Sequence, residues 1–169
     1  GAKMSSLTKD FFAAWEDEIA AYQEVALILA EQKVSLVKWE IEKFQEISQK
    51  AVILISKAHK KTDHRQDLME SLFVLKNMNT NGNSLRTIQN AFSKSEVKEK
   101  CSVFFKVFSN TLRNIDKLSE ENKKLIKTGL ELVGDNLEMI ADVIDRERVY
   151  SRVGMISQKR KSIILNKRI

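Results

Sequence analysis

The stretch VKEKCSVFFKVFSNTLRNIDKLSEENKKLIKTGLELVGDNLEMIADV, Val97 to Val143, decides the fold. Along it Val97, Cys101, Phe104, Phe108, Thr111, Ile115, Leu118, Asn122, Leu125, Gly129, Leu132, Asn136, Met139 and Val143 follow one another by alternating steps of four and three. That spacing averages about 3.5 residues and keeps one side of a helix turned toward a partner helix. Ser93-Lys94-Ser95-Glu96, just ahead, has capping-box spacing, which predicts a long helix from about 95 to about 145.

A seam needs a second helix, and the other end of the chain offers one. Proline is absent from the 169 residues and four of the five glycines lie beyond residue 80, so little interrupts helix before that point. From Leu7 to Ala58 apolar residues such as Trp15, Ile19, Tyr22, Leu29, Leu36, Ile47, Ala51 and Leu54 recur at helical spacing. The pattern predicts one helix over about 7–58, roughly 75 Å long at 1.5 Å per residue. Gln32 and Lys33 interrupt its stripe, and the pattern alone leaves open whether the helix runs unbroken past them. The cluster HKKTDHR, 59–65, weakens the pattern, and Asp63 reads as the N-cap of a short helix carrying Leu68, Leu72 and Leu75. NTNGNS, 79–84, is a loop, and Leu85, Ile88 and Phe92 mark one more short helix.

The expected architecture is therefore all-α: a long antiparallel coiled-coil hairpin of the first and last helices, short helices in the connection and a C-terminal tail. Residues 1–145 read as the helical domain, with Gly1 to Lys3 before Met4 resembling a cloning scar, and 146–169 as a basic, flexible tail. From Arg146 to Ile169 there are eight Lys or Arg against one Glu, a net of +7, so the remaining 145 residues together carry −1. The basic balance belongs to the tail alone, where cations commonly meet acidic proteins, nucleic acid or membrane surfaces.

Beyond Leu125 a second apolar stripe appears beside the seam: Ile126, Leu130, Val133, Leu137, Ile140 and Ile144. The joint face is too wide for one partner, and leaving all six side chains wet forgoes roughly 10 kcal/mol. Three occupants fit: the Phe11, Phe12 and Trp15 end of the first helix, a second copy of the chain, or the amphipathic helix of another protein. Gly129 and Gly134 each cost about 1 kcal/mol relative to Ala inside a helix. They read equally well as close-packing positions or as a softened segment that adjusts to a partner.

Several classes of function are disfavoured. No run approaches the ~18–20 apolar residues of a membrane span, and the N-terminus lacks a secretory h-region. A cytoplasmic protein is expected, and a lone Cys101 fits a reducing compartment. Cys101 sits on the seam as a small hydrophobe rather than a nucleophile. His59 and His64 stand among Lys60, Lys61 and Arg65, whose charge opposes a metal. The carboxylates, such as Glu16, Asp17, Glu18, Glu120 and Glu121, read as solvated helix faces, and no glycine-rich phosphate loop accompanies them. Neither a catalytic site, a metal nor a cofactor is expected, and one tail aromatic, Tyr150, does not make a nucleic-acid fold.

The order of these elements, NKKLIKTGLELVGDNLEMI in the last helix, the Asn-x-x-Leu and Asn-Leu-x-x-Ile rhythm at Asn122 and Asn136, and then Tyr-x-x-x-Gly from Tyr150 to Gly154 resemble the FlgN family of flagellar export chaperones. The resemblance covers nearly the whole chain from Met4. It implies a cytoplasmic, ATP-independent type III export chaperone without enzymatic activity. Its clients would be the C-terminal helices of hook-filament junction proteins, the hook-associated proteins FlgK and FlgL, delivered to an export gate protein of the FlhA type. It also implies client binding on the face bearing Ile126, Leu130, Val133, Leu137, Ile140 and Ile144, and gate docking through Tyr150 and Gly154. The tail is longer and more basic than the family pattern, and its cations read separately as a means of steering acidic surfaces. A monomer or weak homodimer is expected. The rival readings are a self-associating coiled-coil adaptor, for which the second stripe would be a permanent interface, and a basic-tail binder of nucleic acid.

Overall fold

A computed structural model describes residues 1–78 and 85–154, with side chains to residue 149. The loop 79–84 and the tail 155–169 lie outside the described residues. Four helices make up the rest: α1 (Ala2–Val37), α2 (Ile41–Leu75), α3 (Leu85–Ala91) and α4 (Ser95–Gly154). They divide into two compact units, Gly1–Lys123 and Lys124–Ile169.

The all-α hairpin expected from the sequence is present, but its arms are α1 and α2. The chain reverses at residues 38–40, inside the segment that reads as one helix over 7–58. Trp39 takes the left-handed conformation, φ 58°. Glu40 N–H donates to Ser35 O at 3.0 Å and Trp39 N–H to Leu36 O at 3.2 Å, the paired bonds of a Schellman C-cap. Glycine is the usual residue at that position, so a tryptophan there gives no sequence signal. A second Schellman cap ends α2: Asn77 has φ 51°, Met78 N–H donates to Phe73 O at 3.0 Å and Asn77 N–H to Val74 O at 3.1 Å.

Nor does α2 stop at HKKTDHR. Asp63 lies in mid-helix, exposed with His59 and His64, while Ala58, Thr62, Arg65, Met69 and Leu72 carry the inward stripe through the cluster. Thr62 and Arg65 hold core positions because α1 supplies a partner. Arg65 Nε donates to Glu18 Oε2 at 2.7 Å, Arg65 Nη2 to Glu18 Oε1 at 3.2 Å, and Thr62 Oγ1 to Glu18 Oε1 at 2.8 Å. The Tyr22 hydroxyl joins Thr62 at 3.0 Å.

The first half of α4 completes the first unit and runs parallel to α1, not antiparallel to it as the two-helix hairpin requires. Early α1 residues meet early α4 residues and later ones meet later ones: Phe12 with Phe104 (centroids 5.5 Å) and Tyr22 with Phe108 (5.7 Å), then Leu29 O with Asn122 Nδ2 (3.0 Å) and Lys33 Nζ with Glu121 Oε2 (2.7 Å). The reversal at Trp39 causes this, because it adds one antiparallel arm between α1 and the later chain. α1 is consequently buried on two adjacent stripes, one toward each neighbour.

Two apolar clusters hold the unit. Phe11, Phe12, Trp15 and Ile19 of α1 meet Met69, Leu72 and Phe73 of α2, Ile88 of α3, Phe92, and Cys101 and Phe108 of α4. The other cluster joins Ala21, Val25, Ile28 and Leu29 to Ile47, Ala51 and Ala58, where small α2 side chains let the helices approach closely. Phe11, Phe12 and Trp15, one of the candidate covers for the second stripe, are thus spent within the first unit, with the Lys100 ammonium 4.7 Å above the Phe12 ring.

Candidate functional site

The seam of α4 is used only in its first half. Cys101 and Phe108 are buried, as are Thr111 and Asn122. Asn122 turns its amide into the first unit to cap the Leu29 carbonyl. An arm of 36 residues can line only about that many residues of a parallel neighbour, and its last polar contacts to α4 are those of Leu29 and Lys33.

In the second unit the side chains are a different population. Ile126, Leu130, Val133, Leu137 and Ile140 are exposed, Leu130 to 69% and Leu137 to 51%, and Ile144 is half-buried. The first stripe is open as well: Leu132, Met139 and Val143 are exposed. Both stripes therefore present one continuous apolar face, where the sequence left only the second unpaired. An ideal helix turns 100° per residue, so positions Leu125 to Ile144 place this face over more than half the circumference. Exposed apolar area of this extent on a folded chain marks an interaction surface.

An acidic row flanks this face. Glu131, Asp135, Glu138, Asp142 and Asp145 are all exposed and follow one another by the same steps of four and three. Asp145 is paired with Arg148 at 4.0 Å. Gly134 has open space where a Cβ would stand, so close packing is not what keeps a glycine there. Gly129 is buried. The backbone of Tyr150 and Gly154 belongs to α4, but their side-chain environment lies outside the described residues, as does the basic segment 155–169.

Elsewhere among the described residues no reactive constellation is assembled. Burial pushes the Cys101 thiol up to about 11, against a small opposing effect of Lys100. Such a thiol stays protonated and inert. Among the described residues no group of three His, Cys, Asp or Glu side chains is placed to hold a metal ion, and no helix is long and apolar enough to cross a membrane.

A vacant amphipathic face on an all-helical chain suits a protein that holds another helix, and comparison with known families is specific on this point. The family model described as FlgN protein matches residues 4–158. The chain belongs to the FlgN family. FlgN proteins are flagellar export chaperones and not enzymes, so the family agrees with a surface built for protein contact. The FlgN match spans both units and stops within the basic tail. Neither a curated protein nor a solved structure matches the chain.

Proposed function

We propose that this FlgN-family protein is a cytoplasmic chaperone that receives the C-terminal helices of hook-associated proteins, FlgK- and FlgL-like, on the apolar face of α4. Ile126, Leu130, Val133, Leu137, Ile140 and Ile144 form the seat, and Tyr150 with Gly154 docks the loaded chaperone to an FlhA-like export gate protein. The observation that carries the reading is the exposure of both stripes between Leu125 and Ile144. A client's amphipathic helix laid along that face buries apolar surface on both partners, with anchors at helical spacing and no chemistry required. Open space around Gly134 leaves the segment free to adjust to more than one client.

The test is co-purification with the C-terminal segment of a hook-associated protein. Leu137→Asp combined with Ile140→Asp is expected to abolish capture while helicity by circular dichroism is kept, because both side chains are already exposed. Undiminished capture by the double variant moves the seat elsewhere. Tyr150→Ala is expected to retain the client and lose the gate protein in the same assay. Loss of both would assign Tyr150 to the client seat instead.

A further inference from the structure

The exposed face poses a problem for the chain on its own, since an apolar surface of this width promotes association whenever no client is bound. The second unit contains a segment suited to cover it. Residues 155–169, MISQKRKSIILNKRI, hold five cations and no carboxylate, with Ile163, Ile164 and Leu165 together. The helical segment 125–145 holds five carboxylates against Lys127 alone. Those carboxylates form one row, displaced by about 100° around the helix from Leu132, Asn136, Met139 and Val143.

We propose that the chain's own segment 155–169 docks back on this face as an internal substitute for a client, Ile163 to Leu165 resting on the stripes and the cations reaching the acidic row. The reach suffices. From Gly154 back to Leu137 is about 25 Å along the helix at 1.5 Å per residue, and the eleven residues from 155 to 165 span up to about 38 Å when extended. Tethering keeps the segment at an effective concentration in the millimolar range, so a weak contact covers the face much of the time. A client with a full amphipathic helix buries more apolar area and displaces it. Charge selects the occupant: the acidic row attracts this segment and repels a second α4 face carrying the same row. The proposal rests on the same face as the chaperone reading but needs no client to be tested.

The experiment compares the full chain with two full-length variants, Ile163→Asp/Ile164→Asp/Leu165→Asp and Lys159→Ser/Arg160→Ser/Lys161→Ser. The apolar dye anilinonaphthalene sulfonate reports open apolar surface, and amide hydrogen exchange reports residues 126–144. Docking predicts a rise in dye fluorescence and faster exchange, each by about threefold or more, in the triple Asp variant. The triple Ser variant is expected to rise less, and raising the salt should bring the unaltered chain toward it. Equal dye binding and exchange in all three chains overturn the proposal. So does protection that grows with protein concentration, which would make a second copy the occupant. Client capture, measured separately, tells a failed tail contact from a failed chaperone reading: a chain whose segment does not dock but which still binds the hook-associated helix loses only this inference.

Discussion

Glu18 has no exposed surface and Arg65 almost none, so their fork of bonds at 2.7 and 3.2 Å lies inside the bundle. Removing one member strands the other's charge in a buried site. Glu18→Ala is expected to lower stability by about 3–5 kcal/mol, whereas Glu18→Leu with Arg65→Met recovers most of that loss, because the pair's attraction mainly offsets its own desolvation. Urea midpoints for the single and double variants check this, and a single-variant loss under about 1 kcal/mol would show that the pair is hydrated in solution. Cys101 offers a pH test. Its thiol is raised from about 9 to about 11 by burial, so across that window the unfolded chain releases a proton that the folded chain retains. Stability conferred by this group is full below pH 9 and falls as pH rises toward 11. The unfolding midpoint is expected to drop over that window more in the natural protein than in Cys101→Ala, and alkylation at pH 8 should be slow until denaturant is added.

At the scale of elements, the reversal between α1 and α2 shows where sequence and structure part. Glycine, proline and asparagine announce turns through their own backbone preferences, and VKWE contains none of them. The cap at Trp39 instead depends on two backbone bonds that any residue can make if it accepts a left-handed φ. Substitutions at 39 measure that cost: stability is expected in the order Trp39→Gly, Trp39→Asn, Trp39→Val, with Gly and Val separated by roughly 1–2 kcal/mol. Thermal melts of the three variants decide it, and equal melting temperatures would argue against the left-handed residue. The ring itself is 53% exposed, so its loss is common to all three and cancels in the comparison. The one trace of the turn in the sequence is Gln32-Lys33, where the stripe breaks just before the reversal. HKKTDHR misled for a different reason, since Thr62 and Arg65 count as core only once Glu18 is seen opposite them. The seam of α4, by contrast, was legible because its first half is a heptad pattern with a real partner. Its continuation past Asn122 was legible as pattern but not as occupancy: the same steps of four and three run on into residues whose faces stand open. With the turn at Trp39 unseen, the direction of α4 relative to α1 could not be inferred either.

For the molecule as a whole, the consequence is a single helix, α4, whose halves draw stability from different sources. Ser95 to Lys123 belongs to a unit closed by two apolar clusters, while the second unit from Lys124 carries a broad open face with Gly129 and Gly134 in the helix beneath it. Helices lacking tertiary cover are marginal in water, and Gly134 lowers this one by about 1 kcal/mol more than alanine would. Both tryptophans, Trp15 and Trp39, report on the first unit alone. Denaturant titration is therefore expected to give non-coincident transitions: helicity by circular dichroism starts to fall at lower urea than tryptophan fluorescence changes. Gly134→Ala should move the early loss of helicity upward and leave the fluorescence midpoint in place, because a Cβ at that position meets nothing within 4 Å. If the proposed client seat is correct, saturating hook-associated helix should draw the two curves together, since the occupant would supply the cover that the second half of α4 lacks. Superimposable curves in the unbound chain would mean that the second unit is as well supported as the first.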